Sequence, residues 1–198
     1  MLSFMNRSSF FFILCFLSLS LSAQTRNYHV LLGSKKVGSV QATRTTVGDT
    51  TSYLTDFKIR IRLIKLYDIR SVTSAVYEDS VMQSSSMLVY DGGELDEAKN
   101  IVKENFSYRC IDCDDTPIVS DQLIYTNVSK VYFVEPIVRQ DVYTERYLGF
   151  GKMTSLGDHK YKYEMPNGDE NLYNYKDGMV ESIEVHRFLY DLTFKYVD

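Results

Sequence analysis

Cys110-Ile111-Asp112-Cys113 is the sharpest local arrangement of reactive side chains in the sequence. A Cys-x-x-Cys pair can serve as a redox dithiol, as half of a zinc site, or as a small structural disulfide. A redox pair needs a lowered thiol pKa, normally supplied by a helix N-terminus, whereas Asp112, Asp114 and Asp115 surround this one with charge that raises it. Zinc would need further ligands from far along the chain, because there is no second Cys-x-x-Cys. A structural disulfide between Cys110 and Cys113, closing a tight loop, is the reading preferred. The same aspartates offer oxygen ligands to calcium, but the run lacks the glycine and distal glutamate of a calcium loop. A solvated acidic turn is the simpler account.

His29, His159 and His186 are the only histidines. All lie in segments read as strands, the first early and the other two late, so a meander that closes could bring them near one another. Ordinary strand positions are expected instead. Glu135, beside Pro136, and Glu145 invite a paired-carboxylate reading, as in glycoside hydrolysis. Nothing in their spacing selects them over other acids, and a local partner such as Arg139 could simply hold Glu135 in its turn. No residue is therefore assigned a catalytic, cofactor-binding or metal-ligating role, and no cofactor is expected.

The elements that must position these residues are mostly short alternating strands. Tyr28–Leu32 and Val37–Ala42 form a first hairpin about Gly33–Lys36, and Gly48-Asp49 makes the next turn. In the following strand Tyr53, Phe57, Ile59, Ile61 and Leu63 share one parity, and Asp56, Lys58, Arg60 and Arg62 the other. A period of two buries one face and wets the other, as in an antiparallel strand with one side on the core. Tyr67–Tyr77 continues as a strand whose apolar parity changes between Ile69 and Val72, which a bulge there would explain. Val81–Tyr90 ends at Asp91-Gly92-Gly93, and the polar stretch Glu94–Asn105 reads as strand or loop. Asp141–Met153 reads as one long strand loosened by Gly149 and Gly151. Asn167-Gly168 and Asp177-Gly178 are strong hairpin turns, and Phe188, Tyr190, Leu192, Phe194 and Tyr196 alternate in a last strand.

The exception is Leu123–Tyr147. There Asn127 can cap a short helix over Asn127–Phe133, with Val128, Val131 and Tyr132 at helical spacing, and Pro136 stops it. The expected fold is all-β: an antiparallel meander of about ten strands forming a barrel or strongly curled sheet around that helix.

Residues 1–23 read as an export signal, with Arg7 in the basic region and Phe10–Leu21 as the hydrophobic run, and with cleavage after Ala23. The run is short of the roughly 20 residues that span a bilayer, so no transmembrane segment is expected after cleavage. Leu14 before Cys15 does not fit a lipidation signal. Residues 24–198 remain as a single β-rich domain. The net charge of −4, one unit more negative without Arg7, lacks the clustered basic face that nucleic acid requires. Sixteen tyrosines and no tryptophan suit strands whose rings pack while their hydroxyls stay wet.

The opening YHVLLGSKKVG, the middle IYTNVSKVYFVEP and the close YKYEMPNGDENLYNYKDGMVESIEV, in that order, resemble an uncharacterised family of secreted Gram-negative proteins known only as a domain of unknown function. That resemblance implies an exported β-rich domain and carries no activity or catalytic residue with it. In architecture the central break is similar to periplasmic curled sheets of the lipoprotein-carrier type. The expectation is a periplasmic or secreted, non-enzymatic domain that binds lipid or another apolar or amphipathic small molecule. An envelope protein-interaction module is the second reading and an envelope hydrolase the third.

Overall fold

A computed structural model describes residues 21–62, 65–111, 113, 118–136, 139–187 and 190–198. Among these residues, fourteen strands form one sheet. The first eight are β1 (Leu21–Leu32), β2 (Lys35–Val47), β3 (Thr50–Arg62), β4 (Leu66–Glu78), β5 (Val81–Asp91), β6 (Glu94–Glu104), β7 (Ser107–Cys110) and β8 (Ile118–Ser120). The remaining six are β9 (Arg139–Thr144), β10 (Gly149–Gly157), β11 (Lys160–Glu164), β12 (Glu170–Lys176), β13 (Met179–Arg187) and β14 (Tyr190–Val197). The order is β8-β7-β6-β5-β4-β3-β2-β1-β14-β13-β12-β11-β10-β9. The pairings between these strands are antiparallel. Neighbours in sequence pair throughout, except that β8 and β9 form the two edges of the sheet, and β1 meets β14, with Asn27 opposite Val197 and Leu32 opposite Leu192.

The sheet curls about its own inward faces. On β3, Tyr53, Thr55, Ile59 and Ile61 are buried while Lys58, Arg60 and Arg62 are exposed, the alternation its sequence carries. Tyrosine dominates the inside: Tyr28, Tyr108, Tyr143 and Tyr163 are among the largest fully buried side chains. Edge-on ring contacts link three of them to neighbours, Tyr28 to Tyr132 at 5.3 Å, Tyr143 to Phe150 at 5.4 Å and Tyr163 to Tyr173 at 6.3 Å.

The segment 121–136 runs through this interior. Ile124, Asn127, Ser129 and Val131 are each at most 1% exposed. A buried irregular segment must find partners for its backbone, and this one finds them on the surrounding strands. Met82 of β5 donates to the Ile124 carbonyl at 2.9 Å, Tyr143 of β9 donates to that of Thr126 at 2.9 Å, and Val128 donates back to Tyr143 at 3.1 Å. The Tyr175 hydroxyl on β12 donates to the Val131 carbonyl at 2.9 Å. Tyr132 packs on Tyr28 of β1, and Phe133 on Tyr53 of β3. The expected helix over Asn127–Phe133 is a single 3-10 turn, Lys130–Tyr132. Asn127 does accept the Lys130 N–H at 3.1 Å through its side chain, but the backbone reaches across to the sheet instead of winding further.

Other elements also differ from expectation. β4 and β3 stay in register through Ile69–Val72, so no bulge lies there; the register shift of β4 is against β5, at Val76/Tyr77. The parity holds because polar Ser71 and Thr73 point with Ile69 and Ala75, Thr73 being buried, while Val72 and Val76 take the other face. Asp141–Met153 is two strands, not one, folded at Glu145–Leu148, where Leu148 adopts φ 48°. Gly151 is required on β10: a Cβ there would stand 2.5 Å from both the Glu164 carbonyl and the Tyr163 ring. His159 sits with Asp158 in the β10–β11 turn, both at positive φ, and not in a strand. Leu63 and Phe188 lie outside the described residues.

Candidate functional site

The interior on one side of the crossing segment is not filled. A cavity of ≈ 590 Å³ opens at the end of the sheet that carries the β9–β10 and β11–β12 turns. Its size falls in the range of small-molecule sites. Inward side chains of β3, β4, β13 and β14 supply apolar wall, including Ile59, Ile61, Ile183 and Leu192, and the crossing segment supplies Val128 and Tyr132. These wall residues come together only because β1 and β14 pair, which sets the start of the chain against its end.

Exposure rises outward along the lining. Ile183 is 1% exposed and Tyr132 7%, whereas Tyr147 is 37% exposed and Arg146 stands in solvent at the mouth. Burial pushes the Tyr132 and Tyr163 hydroxyls well up and the Tyr173 hydroxyl to about 12, so the inner wall is uncharged across ordinary pH. Among the described lining residues the charged ones are Arg146, Asp169 and Arg187. Arg187 Nε lies 3.3 Å from Asp169 Oδ2, and its Nη1 donates to Asn171 Oδ1 at 3.2 Å.

Beneath the mouth lies a buried carboxyl. Glu145 opens the β9–β10 turn and is 1% exposed. Asn127 Nδ2 donates to its Oε1 at 2.7 Å, and the Tyr77 hydroxyl donates to Asn127 Oδ1 at 3.1 Å. Among the described residues, Glu145 Oε2, Ser85 Oγ and the Tyr143 hydroxyl find no hydrogen-bond partner. Burial raises the Glu145 pKa from 4.5 to about 7, against the lowering influence of Asn127, its own backbone, the nearby Ser85 hydroxyl and the more distant charge of Lys99. Burial first, and then the Glu145 charge, raise Tyr143 and Tyr77. The cluster ties the crossing segment to the turn that carries Arg146 and Tyr147, so floor and mouth of the cavity are held to one another.

The residues singled out in the sequence are scattered. Cys110 at the end of β7 is joined to Cys113 by a disulfide, Cα–Cα 5.5 Å, and neither lines the cavity. Asp112, Asp114 and Asp115 lie outside the described residues. His29 is on β1, half-buried, and exposed His186 on β13 lies 3.0 Å from Asp191. Glu135 is held by His159 Nδ1 at 2.8 Å and the Tyr161 hydroxyl at 2.9 Å, both on the β10–β11 hairpin, while the expected partner's side chain, that of Arg139, lies outside what the structure describes. Glu135 and Glu145 thus belong to separate networks. Among the described residues, no three His, Cys, Asp or Glu side chains converge as a metal site, and no helix is long and apolar enough to cross a membrane. Arg146, Arg187 and the Glu145–Asn127 pair had no sequence signal, since each depends on contacts between distant strands or across turns without glycine.

One solved structure shares this architecture. A beta-barrel-like protein of the domain of unknown function DUF1849 from Brucella abortus superposes with a TM-score of 0.57 at 8% identity, over 91% of this chain and 98% of that one. A DUF1089 family protein from Pseudomonas aeruginosa gives a TM-score of 0.45 at 7% identity, over 79% of this chain and 92% of that one. No curated protein matches in sequence. The family model for the domain of unknown function DUF6134 matches residues 28–197, from the first buried tyrosine of β1 to the last residue of β14, and the chain belongs to that family.

Proposed function

We propose that the protein is an exported, non-enzymatic β-domain that binds an apolar or amphipathic ligand in the cell envelope. The observation that carries this reading is the ≈ 590 Å³ cavity with an apolar wall and charge only toward its mouth. Pockets of that kind bury most of a small ligand and fix it with few polar groups. Export rests on residues 1–23, with cleavage after Ala23. Such cleavage trims β1 but leaves its pairs from Asn27 to Leu32 with β14 intact. The Cys110–Cys113 bond suits an oxidising compartment.

Native mass spectrometry of protein purified from its own host's envelope, followed by organic extraction, tests the reading. A bound small molecule of defined mass, on a chain starting at Gln24 and two protons lighter than the dithiol, is the expected result. A ligand-free mass under gentle conditions would refute ligand carriage.

A second reading, a protein-interaction module, draws on the β7–β8 edge of the sheet. There Phe106, Ile111 and Ile118 are 79%, 63% and 58% exposed beside an unpaired strand. A pull-down from the envelope that is lost on Ile118→Lys would favour it. The hydrolase reading is the weaker, because the carboxyl tuned toward neutrality, Glu145, is buried away from the cavity lining.

A further inference from the structure

We infer that the cavity selects amphiphiles with an anionic oxygen head group, a carboxylate or a phosphate monoester, and that Arg146 is the residue that reads the head. This rests on the ligand-binding reading above and adds the ligand's chemical class.

Charge balance at the mouth is the first argument. The chain as a whole is acidic, with a net charge of −4, yet the cavity is lined by Arg146 and Arg187 against the single acid Asp169. Arg187 is already engaged: it pairs with Asp169, donates to Asn171, and donates to the His186 carbonyl at 2.7 Å. Arg146 has no ion pair or side-chain hydrogen bond among the described residues. Its neighbour Glu145 does not neutralise it, since that carboxyl is turned inward onto Asn127. A second cation stands beside the mouth: Lys65 Nζ lies 4.9 Å from the ring centroid of Tyr67, itself a lining residue.

Placement is the second argument. An arginine on a loose turn would spend affinity on being ordered, but the backbone of Arg146 is fixed on both sides. Lys99 Nζ donates to its carbonyl at 2.6 Å, and Asn127 anchors the preceding residue from within the core. The guanidinium is therefore presented in solvent at the point where a tail lying along Ile61, Ile183 and Leu192 would end. A planar five-donor fork matches carboxylate and phosphate oxygens alike.

The experiment is a fluorescence titration of the protein with cis-parinaric acid and with its methyl ester, which share a tail and differ in head charge. Lysophosphatidic acid and lysophosphatidylcholine serve as competitors. The acid should bind about tenfold more tightly than the ester, and Arg146→Gln should bring the acid down to the level of the ester while leaving ester affinity unchanged. Arg146 is exposed, so this variant keeps its fold; its circular dichroism spectrum and melting curve verify that. Displacement by lysophosphatidic acid, but far less by lysophosphatidylcholine, would identify phosphate as the head; preference for the free fatty acid would identify carboxylate. Equal binding of acid and ester by the wild type would overturn the anion reading and leave the cavity reading standing. Binding of neither probe by folded protein would overturn both.

Discussion

Replacing Glu145 with glutamine should make the protein more stable in mild base and change it little in mild acid. The carboxyl is 1% exposed, and its pKa is raised from 4.5 to about 7 by burial. A folded-state pKa above the unfolded one means that the native protein holds the proton more tightly. Its contribution is fully present below the unfolded value of 4.5 and is lost as pH rises through about 7. That interval corresponds to roughly 3 kcal/mol, an upper figure since the fold can relax around the charge. Glutamine keeps an oxygen for Asn127 Nδ2, now at 2.7 Å, and offers an amide to the neighbouring Ser85 hydroxyl, without a charge to bury. Urea denaturation of both proteins at about pH 5 and about pH 8 isolates the effect, because other titrations cancel in the difference. Asp56 in any case acts in a separate window. Burial raises it, but hydrogen bonds from Arg70 and Lys58 bring it below 3.8 on balance, so its stabilisation is lost only in stronger acid. Glu145→Gln should equal the wild type within about 1 kcal/mol near pH 5 and exceed it by about 2–3 kcal/mol near pH 8. A difference that does not change with pH, or that favours the wild type more in base, would refute the buried-carboxyl reasoning.

Asn127→Ala removes the bonds to Glu145, Tyr77 and the Lys130 N–H, and should cost about 2–4 kcal/mol in urea denaturation, more than an exposed asparagine would. Gly151→Ala should destabilise by about 1–3 kcal/mol, since its Cβ meets backbone oxygen and a ring at 2.5 Å. Gly149→Ala, with its nearest atom at 3.6 Å, should stay within about 0.5 kcal/mol in the same thermal melts. Reducing Cys110–Cys113, whose residues are only 3 apart in sequence, should cost no more than about 2 kcal/mol when melts are compared with and without a phosphine reductant. A larger loss would show that the bond anchors more than its own loop.

The sequence was most legible where one local rule decides the backbone. The turns at Gly48, Gly92-Gly93, Asn167-Gly168 and Asp177-Gly178 fall where their residues place them, and the two faces of β3 follow its alternation. It was least legible where a long-range contact overrides the local rule. The turn after Thr144 has no glycine or asparagine, and Glu145 stays inside it because Asn127, 18 residues earlier, donates to it. β4 places Ser71 against the cavity and Thr73 in the interior, polar residues on an inward face that apolar alternation alone does not reveal. Asn127 accepts the Lys130 N–H through its side chain, yet the 3-10 turn begins after Ser129 and ends within three residues, its neighbours bonding sheet carbonyls and amides instead. The candidate site was invisible for the same reason: Ile61 and Leu192 share a wall only through the pairing of the first and last strands.

That pairing also governs how the chain must be made. Every strand except β1 and β14 can find its sheet neighbours within a local hairpin or the strand beside it, so most of the molecule can form as it emerges. β1 waits with one edge bare until β14 is synthesised, and β13 waits with it. A chain that stops short of Tyr190 would keep nearly every other hairpin intact, yet present two long unpaired edges ready to template one another between molecules. The eight-residue β14 is thus a quality gate: its arrival converts a sticky ribbon into a sheet without long bare edges among the described strands.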